Sequence, residues 1–184
     1  MNFTDLPINL PKPSNDGACD HLLGISIPDI SLPTQNGNLL KIKRLDTFRL
    51  VIFCFPMTGH PDRSLPDNWD IIPGARGCTP QICSFRDNYD ELIKQNALPI
   101  GLSTQSTEDL KEMTTRLHVP FDVVSDQLLS FTSGLKLPTF LINDKKFIKR
   151  LTLIVDQSVI KHVFYPIFLP DLHIFEVLNW LKNN

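Results

Sequence analysis

An α/β architecture, with a central mixed β-sheet, helices on both faces and a long loop ahead of one helix, follows from three features of this chain. The run Leu50-Val51-Ile52-Phe53-Cys54-Phe55 is apolar throughout and stops at Pro56, the pattern of a strand buried on both faces. Ile82, Phe85, Tyr89, Leu92 and Ile93 recur at helical spacing, as do Ile174, Val177, Leu178 and Leu181. Strand-helix-strand-helix is then followed by a hairpin and a last helix, an order that layers helices over a mixed sheet.

The first ordered segment is expected near Leu22, leaving residues 1–21 as a tail and residues 22–184 as one domain. Ile27–Leu32 reads as an edge strand, because Pro28 and Pro33 cannot donate to a ladder, and Gln35-Asn36-Gly37-Asn38 as a tight turn. Met57–Gly77 is rich in Pro, Gly, Asp and Asn, so it is a loop; Trp69, Ile71 and Ile72 wall a pocket or anchor that loop. Thr79 is the predicted N-cap of the next helix, with Pro80 in its first turn. Leu98–Ser103 is a second buried strand. Ser106 caps a helix to Leu117, with Glu108 and Asp109 in the first turn. Phe121–Val124 is a strand and Gln127–Ser133 a short helix. Thr139–Ile142, Ile148–Val155 and Val159–Phe164 are strands, and Asp171–Leu181 closes the chain as a helix.

Apolar residues at 42% and charged residues at 21% exclude a disordered or collagen-like chain. A formal charge of -2, from 18 basic and 20 acidic side chains, gives no electrostatic case for nucleic acid or an anionic membrane. No apolar run approaches the ~20 residues of a membrane helix. The N-terminus lacks the basic start and apolar core of a secretory signal, so the expected compartment is a reducing cytoplasm. There, a close cysteine pair serves metal binding or catalysis rather than a structural disulfide.

That pair lies in Gly77-Cys78-Thr79-Pro80-Gln81-Ile82-Cys83-Ser84-Phe85-Arg86-Asp87. Cys78 stands at the mouth of the predicted helix, where free N–H groups and the positive end of the dipole favour a thiolate. Only the thiolate attacks electrophiles such as peroxides. The competing readings are two small core hydrophobes, or a zinc site. Zinc lacks support, since no second close pair appears and His21, His60, His118, His162 and His173 are scattered singly. A C-x-x-C motif is absent. Five helical residues rise about 7.5 Å, beyond the ~7 Å Cα separation that a disulfide tolerates. A bond between Cys78 and Cys83 therefore requires the first turn to unwind.

Gly77–Leu92, GCTPQICSFRDNYDEL, resembles the peroxiredoxin Q group, also called bacterioferritin comigratory protein, in its Gly-Cys-Thr-x-x-x-Cys-x-Phe-Arg-Asp pattern. A weaker similarity runs over roughly Gly24–Trp180. The resemblance implies a thioredoxin-like fold and reduction of hydrogen peroxide and organic hydroperoxides through a cysteine sulfenic acid. It implies the peroxidatic role for Cys78 and the resolving role for Cys83, with thioredoxin or a similar dithiol as reductant. No metal, haem or flavin is implied; members of the group are often monomers, and with the inserted loop able to build an interface this chain is expected to be a monomer or a homodimer. The family's strand-borne Arg, which holds thiolate and peroxide, corresponds to Arg150 in Lys149–Asp156; Leu137–Phe147 is read as an extra strand and turn before it. In the family's Pro-x-x-x-Thr-x-x-Cys pattern this chain has Ala75 where the Thr stands and Ile71 where the Pro stands. Gly59–Gly77 looks inserted, so Pro56 and Thr58 take the places of the family Pro and hydroxyl. Arg76 is either a second cation at the site or a solvated loop charge. Arg86 and Asp87 are expected to pair on the surface or at a subunit contact, and Cys19 and Cys54 to be bystanders. A second reading is a redox sensor of the same fold, with slow cysteine oxidation.

Overall fold

A computed structural model describes residues 9–45 and 48–184, so the start of the predicted tail lies outside the described residues. A five-stranded sheet runs in the order β5-β4-β3-β8-β9. Its centre is β3 (Arg49–Cys54), which pairs in parallel with β4 (Ala97–Ser103) and antiparallel with β8 (Leu151–Asp156). The sheet is therefore mixed. The edges are β5 (Val123–Ser125) and β9 (Val159–Phe164). Two antiparallel pairs stand apart: β1 (Ser31–Pro33) with β2 (Leu39–Lys41), and β6 (Thr139–Ile142) with β7 (Lys145–Ile148).

The alternation of β3 side chains divides the interior in two. Val51 and Phe53 meet α1 (Cys78–Asp87), α2 (Tyr89–Lys94), α3 (Thr107–Leu117) and α5 (His173–Asn183) through Phe85, Leu92, Met113 and Val177. Leu50, Ile52 and Cys54 face the other way, onto Phe131 of α4 (Ser130–Gly134) and onto Leu22, Ile27 and Cys19. The apolar run at Leu50–Phe55 is thus buried on both faces as its composition demands. Gly101 lets β4 pass close beneath this layer: a Cβ there would meet the Val123 methyls at 3.1 and 3.2 Å and the Phe53 ring at 3.3 Å.

Several expected boundaries move. Pro28 and Pro33 shorten the predicted edge strand to β1, and Ile27 instead donates its N–H to Ser158. The helix expected through Ile93 breaks at Asn88, whose side-chain amide donates to the Ser84 carbonyl, leaving Ile93 partly exposed on α2. Ser106 does cap α3, accepting from the Asp109 N–H. The short helix begins at Ser130 rather than Gln127, because the Asp126 carboxylate takes the N–H groups of Phe131 and Thr132. Ile148–Val155 is not continuous. Ile148 pairs with Thr139 in the β6–β7 hairpin while Leu151 pairs with Cys54, and Lys149-Arg150 turns between them.

Candidate active site

The entrance to α1 differs from expectation in a way that matters for chemistry. Gly77, not Thr79, occupies the N-cap, in a left-handed conformation with φ 99° that favours glycine, and no side chain caps the helix. Cys78 is consequently the first helical residue. Pro80 has no N–H to return toward Arg76, and the Arg76 carbonyl is free to accept from Arg150 Nη2 at 3.0 Å.

Arg150 reaches α1 from the bend between β7 and β8. Its Nη2 lies 3.2 Å from Cys78 Sγ and 3.4 Å from the Ala75 carbonyl, and its Nη1 donates to Gln81 Oε1. Cys78 Sγ also stands 3.6 Å from the Ala75 carbonyl. Cys78 is 2% exposed, Arg150 3% and Gln81 0%. Among the described residues no carboxylate pairs with Arg150: its acceptors are two carbonyls, an amide oxygen and the sulfur. A buried cation without a carboxylate is costly unless an anion faces it, and the sulfur is the acceptor able to supply that charge.

A narrow cleft of about 10 Å³ reaches Cys78 between Met57, Gly59, Leu65, Trp69, Arg76 and Thr79. By volume that is close to one water molecule. Thr58 falls between two residues bordering the cleft, but its hydroxyl donates to Gln105 Oε1 at 3.1 Å and its N–H to the same oxygen at 2.8 Å. The Pro56 carbonyl accepts from the Ser103 hydroxyl. The structure thus brings Cys78 and Arg150 into contact and places Pro56 and Thr58 on the neighbouring turn, with no hydrogen bond from either to the sulfur among the described residues. Arg76 turns to Asp70 at 3.3 Å. Cys83 lies on the same helix as Cys78, half-buried, and both are reduced. Burial pushes the Cys83 thiol up, partly offset by Arg86. Arg86 pairs with Asp87 at 2.8 Å and also donates to the Leu117 carbonyl at 2.7 Å, tying α1 to α3.

Sequence reasoning missed Gln81 and the Ala75 and Arg76 carbonyls. Gln81 was legible in one respect, since a polar side chain three residues after Cys78 shares its helix face. The carbonyls carried no signal, because they act through backbone direction. Trp69, 2% exposed, packs on Phe140 and Phe147 with ring centroids 5.8 and 5.2 Å away, and Ala75 joins this cluster. The hairpin therefore props the loop that carries Arg150's acceptors.

With this geometry in view, known proteins are informative. The redoxin family profile matches residues 22–176. Peroxiredoxin Bcp of Escherichia coli strain K12 is 28% identical over 161 residues, 85% of this chain and 93% of the relative. Peroxiredoxin bcp1 of Schizosaccharomyces pombe is 29% identical over 123 residues, 65% of this chain and 55% of the relative. Peroxiredoxin Q, chloroplastic, of Arabidopsis thaliana is 27% identical over 160 residues, 86% of this chain and 66% of the relative. The chain thus spans slightly under two thirds of the length of several such relatives. Peroxidoxin BcpB from Mycobacterium tuberculosis superposes with a TM-score of 0.73 at 22% identity, covering 89% of this chain and 98% of its own. Peroxiredoxin Q of Xanthomonas campestris does so with a TM-score of 0.70 at 19% identity, covering 87% and 96%. The thioredoxin-like fold is shared with these structures, and the chain belongs to the redoxin family.

Proposed function

We propose that this protein is a thiol peroxidase of a reducing cytoplasm, with Cys78 as the nucleophile. The observation that carries the reading is the Arg150 guanidinium 3.2 Å from Cys78 Sγ at the mouth of α1, buried and without a carboxylate partner among the described residues. Cys78 thiolate attacks one peroxide oxygen in line; an S–O bond forms as the O–O bond breaks. The departing oxygen leaves as water or an alcohol after taking a proton, and Cys78 becomes a sulfenic acid. Arg150 stabilises the charge that develops across sulfur and oxygen. Pro56 shields the site, and the lone pairs of the Thr58 hydroxyl accept the peroxide O–H. Cys83 then attacks the sulfenic sulfur, forming a disulfide and releasing water, once the first turn of α1 has unwound. Two electrons and two protons from thioredoxin or a similar dithiol restore both thiols.

Peroxide-dependent oxidation of a thioredoxin system tests the cycle. Wild type is expected to turn over and Cys78→Ser to be inactive. Cys83→Ser is expected to stop after one oxidation and to accumulate oxygen adducts by intact mass; their absence would remove the resolving role. The tight cover over Cys78 favours a second reading, a slow redox sensor. A stopped-flow rate for Cys78 near that of an ordinary free thiol would establish it in place of the peroxidase.

A further inference from the structure

Arg150 also borders a second cavity, of about 210 Å³, that does not include Cys78. Its walls come from Lys12–Ser14, Asp16, Ile72–Gly74, Phe140 and Tyr165–Ile167, none of which contributes a side chain to the proposed cycle. Basic side chains outnumber acidic ones in its lining, Lys12, Lys149 and Arg150 against Asp16. Asp16 is the sole carboxylate in its lining, and it is taken up by Lys149 at 2.7 Å and the Tyr165 hydroxyl at 2.8 Å, contacts that lower its pKa to about 2. Among the described residues neither Lys12 nor Arg150 has a carboxylate partner; Lys12 lies over the Phe168 ring at 5.7 Å. The Nε of Arg150 is buried with no hydrogen-bond partner among the described residues. The same lining includes the apolar side chains of Ile72, Phe140 and Ile167.

A pocket bordered by an exposed ammonium, by a guanidinium whose Nε has no hydrogen-bond partner among the described residues, and by hydrocarbon matches one ligand chemistry. We propose that it binds a small amphipathic monocarboxylate, its carboxylate received by Lys12 and Arg150 and its alkyl chain laid against Ile72, Phe140 and Ile167. A dianion fits less well, since its second charge would be desolvated against apolar walls. Because Arg150 is shared, the occupant draws guanidinium charge away from Cys78 and slows its attack on peroxide. This coupling rests on the peroxidase reading, whereas the binding does not.

Octanoate is the probe, followed by isothermal titration calorimetry on the full chain, with octanol as the uncharged control. Saturable octanoate binding is expected in wild type and in Cys78→Ser, with octanol unable to compete. Lys12 is exposed and outside the proposed catalytic machinery, so Lys12→Glu is expected to fold and to weaken octanoate by about tenfold or more. Octanoate is further expected to slow Cys78 oxidation in wild type and not in Lys12→Glu. No saturable binding, or equal binding to wild type and Lys12→Glu, overturns the site; binding without an effect on the oxidation rate overturns the coupling. If Cys78 fails to react with peroxide while octanoate still binds Cys78→Ser, the peroxidase reading falls and the site stands.

Discussion

At the scale of single residues, the balance between Arg150 and Cys78 decides reactivity. Arg150 Nη2 donates at once to sulfur and to two carbonyls, so the guanidinium cannot move without losing several contacts together. A planar fork does this and an ammonium does not. Arg150→Met, which keeps volume and removes charge, is expected to slow Cys78 oxidation by at least about a hundredfold; stopped-flow kinetics with hydrogen peroxide checks this, and an unchanged rate would remove Arg150 from the chemistry. Among the described residues the other thiols have no guanidinium hydrogen-bonded to the sulfur. Burial pushes Cys19 up to about 12 and Cys54 well above its usual range, and it raises Cys83 as well. Iodoacetamide on the folded protein is therefore expected to spare Cys19 and Cys54 until the protein is denatured, read by peptide mass.

At the scale of elements, the site depends on a loop braced from outside it. Trp69 closes a small cluster with Phe140, Phe147 and Ala75, and the next residues of the same loop present the carbonyls that hold Arg150. The β6–β7 hairpin, which adds no strand to the central sheet, gains a function from this contact: it holds backbone direction near Cys78. Trp69→Ala is expected to lower stability by about 3 kcal/mol, as loss of a buried aromatic does. It is also expected to lower kcat/KM for peroxide although Trp69 bonds to neither Arg150 nor Cys78. Urea denaturation and peroxide kinetics on one variant separate the two effects.

At the scale of the whole molecule, α5 is tied to the sheet through a buried histidine. His173 Nε2 meets the Thr152 hydroxyl at 3.0 Å and Nδ1 meets Glu176 at 3.0 Å, while the ring packs between Phe85 and Phe164. Burial lowers the pKa of His173, with Glu176 opposing and Arg150 adding to the fall. The folded protein thus binds this proton less readily than the unfolded chain does. Its contribution to stability is full above the unfolded value of about 6.5 and is lost as pH falls through the lower folded value. Urea midpoints are expected to fall between about pH 7 and pH 5, and His173→Gln to flatten that dependence; an unaltered slope would assign it to other groups.

The sheet, its central strand and the helix bearing Cys78 and Cys83 were legible in the sequence, because hydrophobic period and the residues around helix starts act over a few neighbours. The pairing of Cys78 with Arg150 was expected only through the resemblance of Lys149–Asp156 to the strand of the peroxiredoxin Q group that carries its Arg. Left to tertiary structure were the cap at Gly77, the break of a predicted strand at Lys149-Arg150, the turning of the Thr58 hydroxyl to Gln105, and the union of Trp69 with the hairpin. Each of these depends on where distant segments meet, and such meetings are set by the packing of the whole interior rather than by local preference.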